Sequence, residues 1–156
     1  MNARKNAGRN DGAVAVKLKK QPVLPICAEA VEECNRKASS PSSRITLHAP
    51  GIDDKCKVWV DDSLLREALL SLLDQASKRA LKNRITLSLS WSDMHDLRIA
   101  ISYDRPLAHG GEQASPFGRP RNYSLRAQSI IEQHRSRIDF EDKDGVEMIG
   151  MRFPYP

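Results

Sequence analysis

Aromatic residues and cysteines are scarce in this 156-residue chain, and long apolar runs are missing. Only 5% of the residues are aromatic, yet aliphatic residues recur in regular patterns, which argues against disorder over the full length. No stretch approaches the ~18 apolar residues that span a bilayer, and no apolar signal core precedes the first proline. The three cysteines form no Cys-x-x-Cys pair, which argues against a disulfide framework or a zinc knuckle. We therefore expect one cytoplasmic domain without a membrane segment.

The charge of the chain is concentrated near its N-terminus. Residues 1–20 contain six basic side chains against the single acid Asp11, whereas residues 21–156 contain basic and acidic side chains in equal number. The whole net charge of +5 therefore lies in a segment that also lacks a hydrophobic period. We predict a basic disordered arm over residues 1–22. It could be a solubilising extension, a polyanion contact through residues 1–20, or a transit peptide, which its poor amphipathicity disfavours.

Hydrophobic periodicity predicts the elements of the remaining chain. Apolar residues at three- and four-residue intervals predict three helices, at 23–38, 62–80 and 127–134. Alternation of apolar and polar residues predicts strands at 45–47, 58–60, 85–91 and 97–103, with a closing hairpin that turns through Asp-Lys-Asp-Gly at 142–145. Asp61 or Asp62 can cap the second helix, and Asp74 and Lys78 form a favourable pair four residues apart. This order predicts an α+β fold, a two-layer α/β sandwich with its helices on one face of a mixed sheet.

A long segment without hydrophobic period precedes the last helix. Residues 104–122 contain three glycines and three prolines, and no repeat of apolar positions. A loop of this length inside a compact domain is usually functional or mobile, so we predict a long lid loop.

Several segments, taken in order, resemble the ATP-binding domain of sensor histidine kinases, of the GHKL family that includes the gyrase-type ATPases. The segment VWVDDSLLREALLSLLDQASKRA at 58–80 resembles the N box and its preceding strand, and LRIAISYD at 97–104 resembles the strand entering the first glycine box. SPFGRP at 115–120 is similar to the phenylalanine motif of the lid, and the chain after 127 resembles the last helix and terminal hairpin. The resemblance covers residues 23–154 and implies a Bergerat-type ATP-binding fold for residues 23–156.

The N box departs from the family pattern at both of its asparagines. The family holds Mg²⁺ and phosphate with two asparagines one helical turn apart, and here these positions are Ser71 and Gln75. Gln75 offers the same amide oxygen for Mg²⁺, but an extra methylene displaces it by about 1.5 Å, which can cost on the order of 100-fold. Lys78 matches a family position near the phosphates, although an ordinary solvated lysine paired with Asp74 explains it equally well.

Both glycine boxes have lost their glycines. The first begins at Asp104, which keeps the carboxylate that would accept the adenine amino group, but Pro106 and its neighbours replace the glycines. The second box would cradle phosphates on backbone N–H groups, and its counterpart begins at Arg121 with no glycine. Arg119, Arg121 and Arg126 could donate to phosphates instead, or they could be solvated lid residues.

The resemblance implies a signalling role, and the departures from the motifs argue against catalysis. Sensor kinases carry a phosphoaccepting histidine on an upstream hairpin, none of the four histidines here matches that pattern, and His134 is expected to pack in the core. We expect a degenerate, stand-alone interaction module that is not an enzyme and binds ATP and Mg²⁺ weakly or not at all. Its expected partners are a histidine kinase, a response regulator or a sigma-type factor. The alternatives are a functional histidine or serine protein kinase or ATPase acting in trans, and a nucleic-acid or anionic-surface adaptor that binds through the arm.

Overall fold

Three helices cover one face of a five-stranded mixed sheet, and a two-stranded ribbon lies beside them. The structure is a computed structural model, and it describes residues 15–38, 44–80, 84–92, 95–104 and 124–154. The elements within these residues are β1 (Lys19–Pro22), α1 (Leu24–Lys37), β2 (Arg44–His48), β3 (Lys57–Val60), α2 (Asp62–Arg79), β4 (Arg84–Trp91), β5 (Asp96–Asp104), α3 (Leu125–Gln133), β6 (Asp139–Lys143) and β7 (Val146–Pro154). The predicted α+β class and the placement of the helices on one face are confirmed.

The strands form two separate sheets. The larger has the order β2-β4-β5-β7-β6, in which β2 runs parallel to β4 and every other pair is antiparallel. The smaller is the ribbon of β1 and β3. The strands predicted at 45–47 and 58–60 therefore exist, on either side of a Pro-Gly turn at 50–51, but they do not pair with each other. The turn itself forms, since Ile52 N donates to Ala49 O and Gly51 adopts the positive φ of 76° that a turn with proline before glycine requires.

The boundary of the predicted N-terminal arm is corrected by β1. The predicted arm includes residues 19–22, but Lys19 to Pro22 pair in register with Val60 to Lys57. Backbone pairing does not depend on side-chain charge, and β3 has polar backbone groups that need partners. Gln21 adds a side-chain hydrogen bond of 2.8 Å to the carbonyl of Val60. Residues 1–14 lie outside the described residues.

The core fills the space between the helices and the inner face of the large sheet. Helix α2 supplies its centre with a stripe of fully buried residues: Leu65, Ala68, Leu69, Leu72, Leu73 and Ala76. They meet the inward positions of the sheet, among them Leu87, Leu89, Ile99, Ile101, Ile149 and Phe153. Truncating one such leucine to alanine typically costs about 2–5 kcal/mol. No helix in the described part of the chain is long and apolar enough to cross a membrane.

The cap of α2 and the turn of the last hairpin form with the residues that such caps and turns favour. The Asp61 carboxylate accepts the N–H of Leu64 at 3.1 Å and so caps α2, and its second oxygen accepts the N–H of Lys17 at 2.8 Å. Burial alone would raise the pKa of Asp61, but these two N–H donors hold it below the usual value. Asp144 and Gly145 both have positive φ, which is the two-residue hairpin turn that Asp-Gly favours.

Candidate functional site

The residues predicted for the N box lie on one face of α2. Ser71 and Gln75 are one helical turn apart and both are partly buried. Arg79 follows Gln75 by a further turn on the same face and is the last residue of the helix. This line of side chains runs toward the end of β5, because Arg79 Nε lies 3.3 Å from the hydroxyl of Tyr103. Asp104, the residue predicted to read adenine, comes directly after Tyr103 and is exposed.

A buried ion pair that was not predicted from the sequence joins this end of α2 to the sheet. Glu147 on β7 is 1% exposed, and Arg79 clasps its carboxylate with two hydrogen bonds, Nε to Oε1 at 2.7 Å and Nη2 to Oε2 at 2.9 Å. The Tyr103 hydroxyl also donates to Oε1 of Glu147. The bidentate guanidinium and the phenol together satisfy a carboxylate that would otherwise be costly to bury. We call Arg79, Glu147 and Tyr103 the clasp.

The clasp changes the protonation behaviour of its members. The pKa of Tyr103 is raised, first because burial disfavours the phenolate and then because the hydroxyl donates to the Glu147 carboxylate. The pKa of Arg79 is also raised, chiefly by its hydrogen bonds to the same carboxylate. Arg79 therefore stays a guanidinium and Tyr103 a neutral phenol through the neutral range.

The place of Glu147 within β7 is a sequence signal for the clasp. Glu147 occupies an inward register position, opposite Tyr103 and on the same face as Ile149, Met151 and Phe153. An acidic residue in a row of strand positions that is otherwise apolar faces the core, and a buried carboxylate needs a cation nearby. The partner could not be identified from sequence, because Arg79 is 68 residues away along the chain.

Lys78, predicted near the phosphates, is paired with a carboxylate of its own helix. Its ammonium lies 3.2 Å from Asp74 Oδ2, and the two side chains are 75% and 66% exposed. A surface pair of this kind contributes little to stability. The lysine is therefore accounted for by the pair that its four-residue spacing predicted.

The start of α3, where the resemblance places the phosphate cradle, is capped from within the chain. Ser124 Oγ accepts the N–H of Ala127 at 3.0 Å, so a backbone donor of the first turn is already used. Arg126, one of the three arginines considered as phosphate donors, pairs with Glu67 on α2 through Nε and Nη2, and the distance from Nη2 to Oε1 of Glu67 is 3.3 Å. Arg119, Arg121, the glycine-box positions 105–108 and the lid motif lie outside the described residues.

The described residues do not fit a magnesium nucleotide well. No group of three or more His, Cys, Asp and Glu that could hold a metal ion occurs among them. The oxygen ligands that the two N-box positions carry are the hydroxyl of Ser71 and the amide oxygen of Gln75, where hard cations prefer several oxygen ligands. The Asp104 carboxylate is exposed and makes no hydrogen bond to another described residue.

His134, which was expected to pack in the core, has a structural role. It is 2% exposed, its Nε2 accepts the backbone N–H of Asp61 at 3.0 Å, and its Nδ1 lies 2.8 Å from the carbonyl of Ile130. The ring therefore joins α3 to the N-terminus of α2 and meets Phe153 edge to face. These contacts fix a neutral tautomer and leave no nitrogen for a phosphoryl group.

Comparisons with known proteins identify the fold. No protein-family profile and no curated protein sequence matches the chain. The histidine kinase AdeS of Acinetobacter baumannii is similar in structure, with a TM-score of 0.69, at 10% identity over 99% of this chain and 75% of that one. The cytoplasmic segment of the histidine kinase QseC gives 0.68 at 14% identity, covering 99% of this chain and 90% of its own. The catalytic domain of the histidine kinase ThkA gives 0.65 at 15% identity, over 90% and 98%. The chain therefore has the fold of a histidine kinase catalytic domain.

Proposed function

We propose that this protein is a degenerate histidine-kinase-type domain that works as an interaction module in two-component-type signalling and binds ATP weakly or not at all. The fold and the order of its elements support the relation to kinase domains. The sequence supports the loss of nucleotide binding, because both N-box asparagines and the glycines of both glycine boxes are replaced. The module would act through protein contacts, with a histidine kinase, a response regulator or a sigma-type factor as partner.

One observation carries this proposal: the polar groups at positions of phosphate recognition are bonded to other groups of the protein. Lys78 pairs with Asp74, Arg126 pairs with Glu67, and the N–H of Ala127 is capped by Ser124. Together with the glycines missing from the second glycine box, this leaves fewer N–H groups for phosphate at the start of α3. A phosphate would have to displace Ser124 from the Ala127 N–H, whereas the exposed pairs of Lys78 and Arg126 could be displaced at small cost.

Calorimetric titration with ATP and Mg²⁺ tests the loss of nucleotide binding. We expect a dissociation constant of about 1 mM or weaker, which corresponds to about 4 kcal/mol. One charge-assisted hydrogen bond from the adenine amino group to Asp104 provides about 1.5–3 kcal/mol, and the cost of association consumes most of it. Omitting Mg²⁺ should change the affinity little.

A restored N box provides the matched control. The double variant Ser71→Asn, Gln75→Asn recreates the metal-binding amides, but Ser124 still caps α3 and the glycines are still missing. We expect its affinity to stay in the millimolar range. Micromolar, Mg²⁺-dependent binding by the unmodified protein would overturn the proposal.

The interaction role has its own experiment. The tagged full chain is used to capture proteins from lysate of the source organism, and each captured signalling protein is then purified and titrated with and without ATP. We expect a kinase, response regulator or sigma-type factor whose affinity is unchanged by ATP. Recovery of no signalling protein, or a complex that forms only with ATP, contradicts the module hypothesis.

A functional ATP-dependent kinase or ATPase acting in trans is the second candidate, and Asp104 is the observation that favours it. Its carboxylate is exposed and not engaged by the described residues, as an adenine-reading group should be. This enzyme would use the Gln75 amide for the metal and lid arginines such as Arg121 for phosphate. Turnover of ATP that Gln75→Ala and Asp104→Asn each abolish would establish it.

A further inference from the structure

The outer face of the β1–β3 ribbon combines an exposed aromatic ring with lysines. Trp59 is 50% exposed, and its register partner on β1 is Lys20. Two residues before Trp59, and therefore on the same face, lies Lys57, whose partner is Pro22. This outer face, formed by Lys20, Pro22, Lys57 and Trp59, is called the ribbon face below.

The charge of the ribbon face is positive and uncompensated. Neither strand contains an acid, and the ammonium groups of Lys19, Lys20 and Lys57 form no ion pair within the described residues. Lys37 and Lys78, by contrast, each pair with a carboxylate four residues earlier on their helices. The ribbon face also continues directly from the most basic part of the sequence, since β1 is the end of the segment that holds the whole net charge.

The ligand that suits this surface has both negative charge and flat apolar faces. A lysine ammonium is a point charge that binds phosphate, and an exposed indole offers a surface on which a nucleobase can stack. Single-stranded nucleic acid supplies both groups at every nucleotide. A duplex keeps its bases stacked inside, and an acidic peptide has charge without a regular ring to place on the indole.

We propose that the ribbon face binds single-stranded nucleic acid, with a base stacked on Trp59 and neighbouring phosphates at Lys20 and Lys57. This activity would be independent of the nucleotide-type site, which is built on α2, α3 and the end of β5. The ribbon would provide the stacking platform, and the basic residues that precede β1 would add non-specific attraction.

Intrinsic fluorescence of the full chain tests the stacking step. The protein has two tryptophans, so the variant Trp91→Phe leaves Trp59 as the only indole. Titration with the oligonucleotide dT20 should quench its emission in a saturable way. Quenching that is absent while a labelled oligonucleotide still binds by anisotropy would overturn the proposal.

Substitutions on the ribbon face then separate stacking from charge. Trp59→Leu should weaken dT20 binding at least about fivefold, whereas Trp59→Phe should keep most of the affinity. The double variant Lys20→Gln, Lys57→Gln should make the slope of log K against log salt shallower by about 1.4, since each phosphate contact on a single strand contributes about 0.7. The control is the double variant Lys37→Gln, Lys78→Gln, which removes the same charge from lysines that are paired on helices. Its slope of log K against log salt should stay closer to that of the parent protein. Circular dichroism confirms that each variant is folded.

Three results would refute the assignment. The first is dT20 binding that is lost in the triple variant Arg4→Gln, Lys5→Gln, Arg9→Gln but unchanged in Trp59→Leu, which would place the site on residues before the ribbon. The second is a 20-base-pair duplex that binds as tightly as dT20 and is insensitive to Trp59→Leu. The third is polyglutamate that competes as well as dT20 does, which would indicate an acidic protein as the ligand.

Discussion

Breaking the clasp should destabilise the protein far more than breaking its exposed neighbour pair. Arg79→Met leaves the Glu147 carboxylate, which is 1% exposed, with Tyr103 as its hydrogen-bond donor but no cation. Removing one partner of a buried pair costs about 3–5 kcal/mol, and because the Arg79 side chain is 34% exposed we expect the lower end, about 3 kcal/mol. With typical urea m-values of about 1–3 kcal/mol/M, the unfolding midpoint should fall by about 1–3 M.

A combined variant and a neighbouring control decide whether the buried charge is the cause. The triple change Arg79→Met, Glu147→Leu, Tyr103→Phe removes every polar member of the clasp, so it should be clearly more stable than Arg79→Met alone. Lys78→Met breaks only the exposed pair with Asp74 and should cost about 0.5 kcal/mol or less. An Arg79→Met cost below about 1 kcal/mol, or a triple variant as unstable as the single one, would refute the reasoning.

Three further predictions follow from buried polar groups. His134→Leu orphans the N–H of Asp61 and should lower the free energy of unfolding by about 1–3 kcal/mol, whereas His134→Gln can keep an acceptor and should lose less in a thermal melt. The pKa of Tyr103 is raised above the ordinary value of 10.0, so its contribution to the free energy of unfolding is intact below pH 10 and falls above it, by up to about 1.4 kcal/mol per pH unit. Urea unfolding of Tyr103→Phe should show a shallower decline of this free energy with pH. Identical pH dependence in the variant and the parent would contradict this. Burial raises the pKa of Cys27 to about 12, so mass spectrometry after iodoacetamide treatment at pH 8 should find Cys27 unmodified in the native protein and alkylated in urea.

Local sequence signals predicted most of the elements because each is decided within a few residues. The Asp61 cap, the Asp74–Lys78 pair and the Asp-Gly turn at 144–145 all formed as their spacing indicated. Strand β1 could not be found in this way, since KKQP has no strand pattern and its pairing partner is 39 residues away in β3. Contacts between distant segments depend on the assembled fold and not on local propensity.

The candidate site was predicted only as far as the family resemblance reached. Resemblance placed Ser71, Gln75 and Asp104 on the correct elements, and the structure brings the end of α2 next to the end of β5. It could not reveal Arg79 or Glu147, because they form a pair across the fold that is visible only in three dimensions. The loss of the glycines is evident from the sequence, but the capping of α3 by Ser124 is a hydrogen bond that is seen only in the structure.

The magnitudes indicate which feature of the site limits phosphate binding. The exposed pairs of Lys78 with Asp74 and of Arg126 with Glu67 contribute little to stability, so a phosphate could displace them at small cost. Losing backbone donors is a larger obstacle, because the Ala127 N–H is bonded to Ser124 and only a glycine-rich segment could present further N–H groups at close range. The clasp adds a rigid connection between α2 and the sheet that needs no ligand to be complete. The described part of the site is therefore stabilised by bonds within the chain, and this supports the proposal that nucleotide binding is weak or lost.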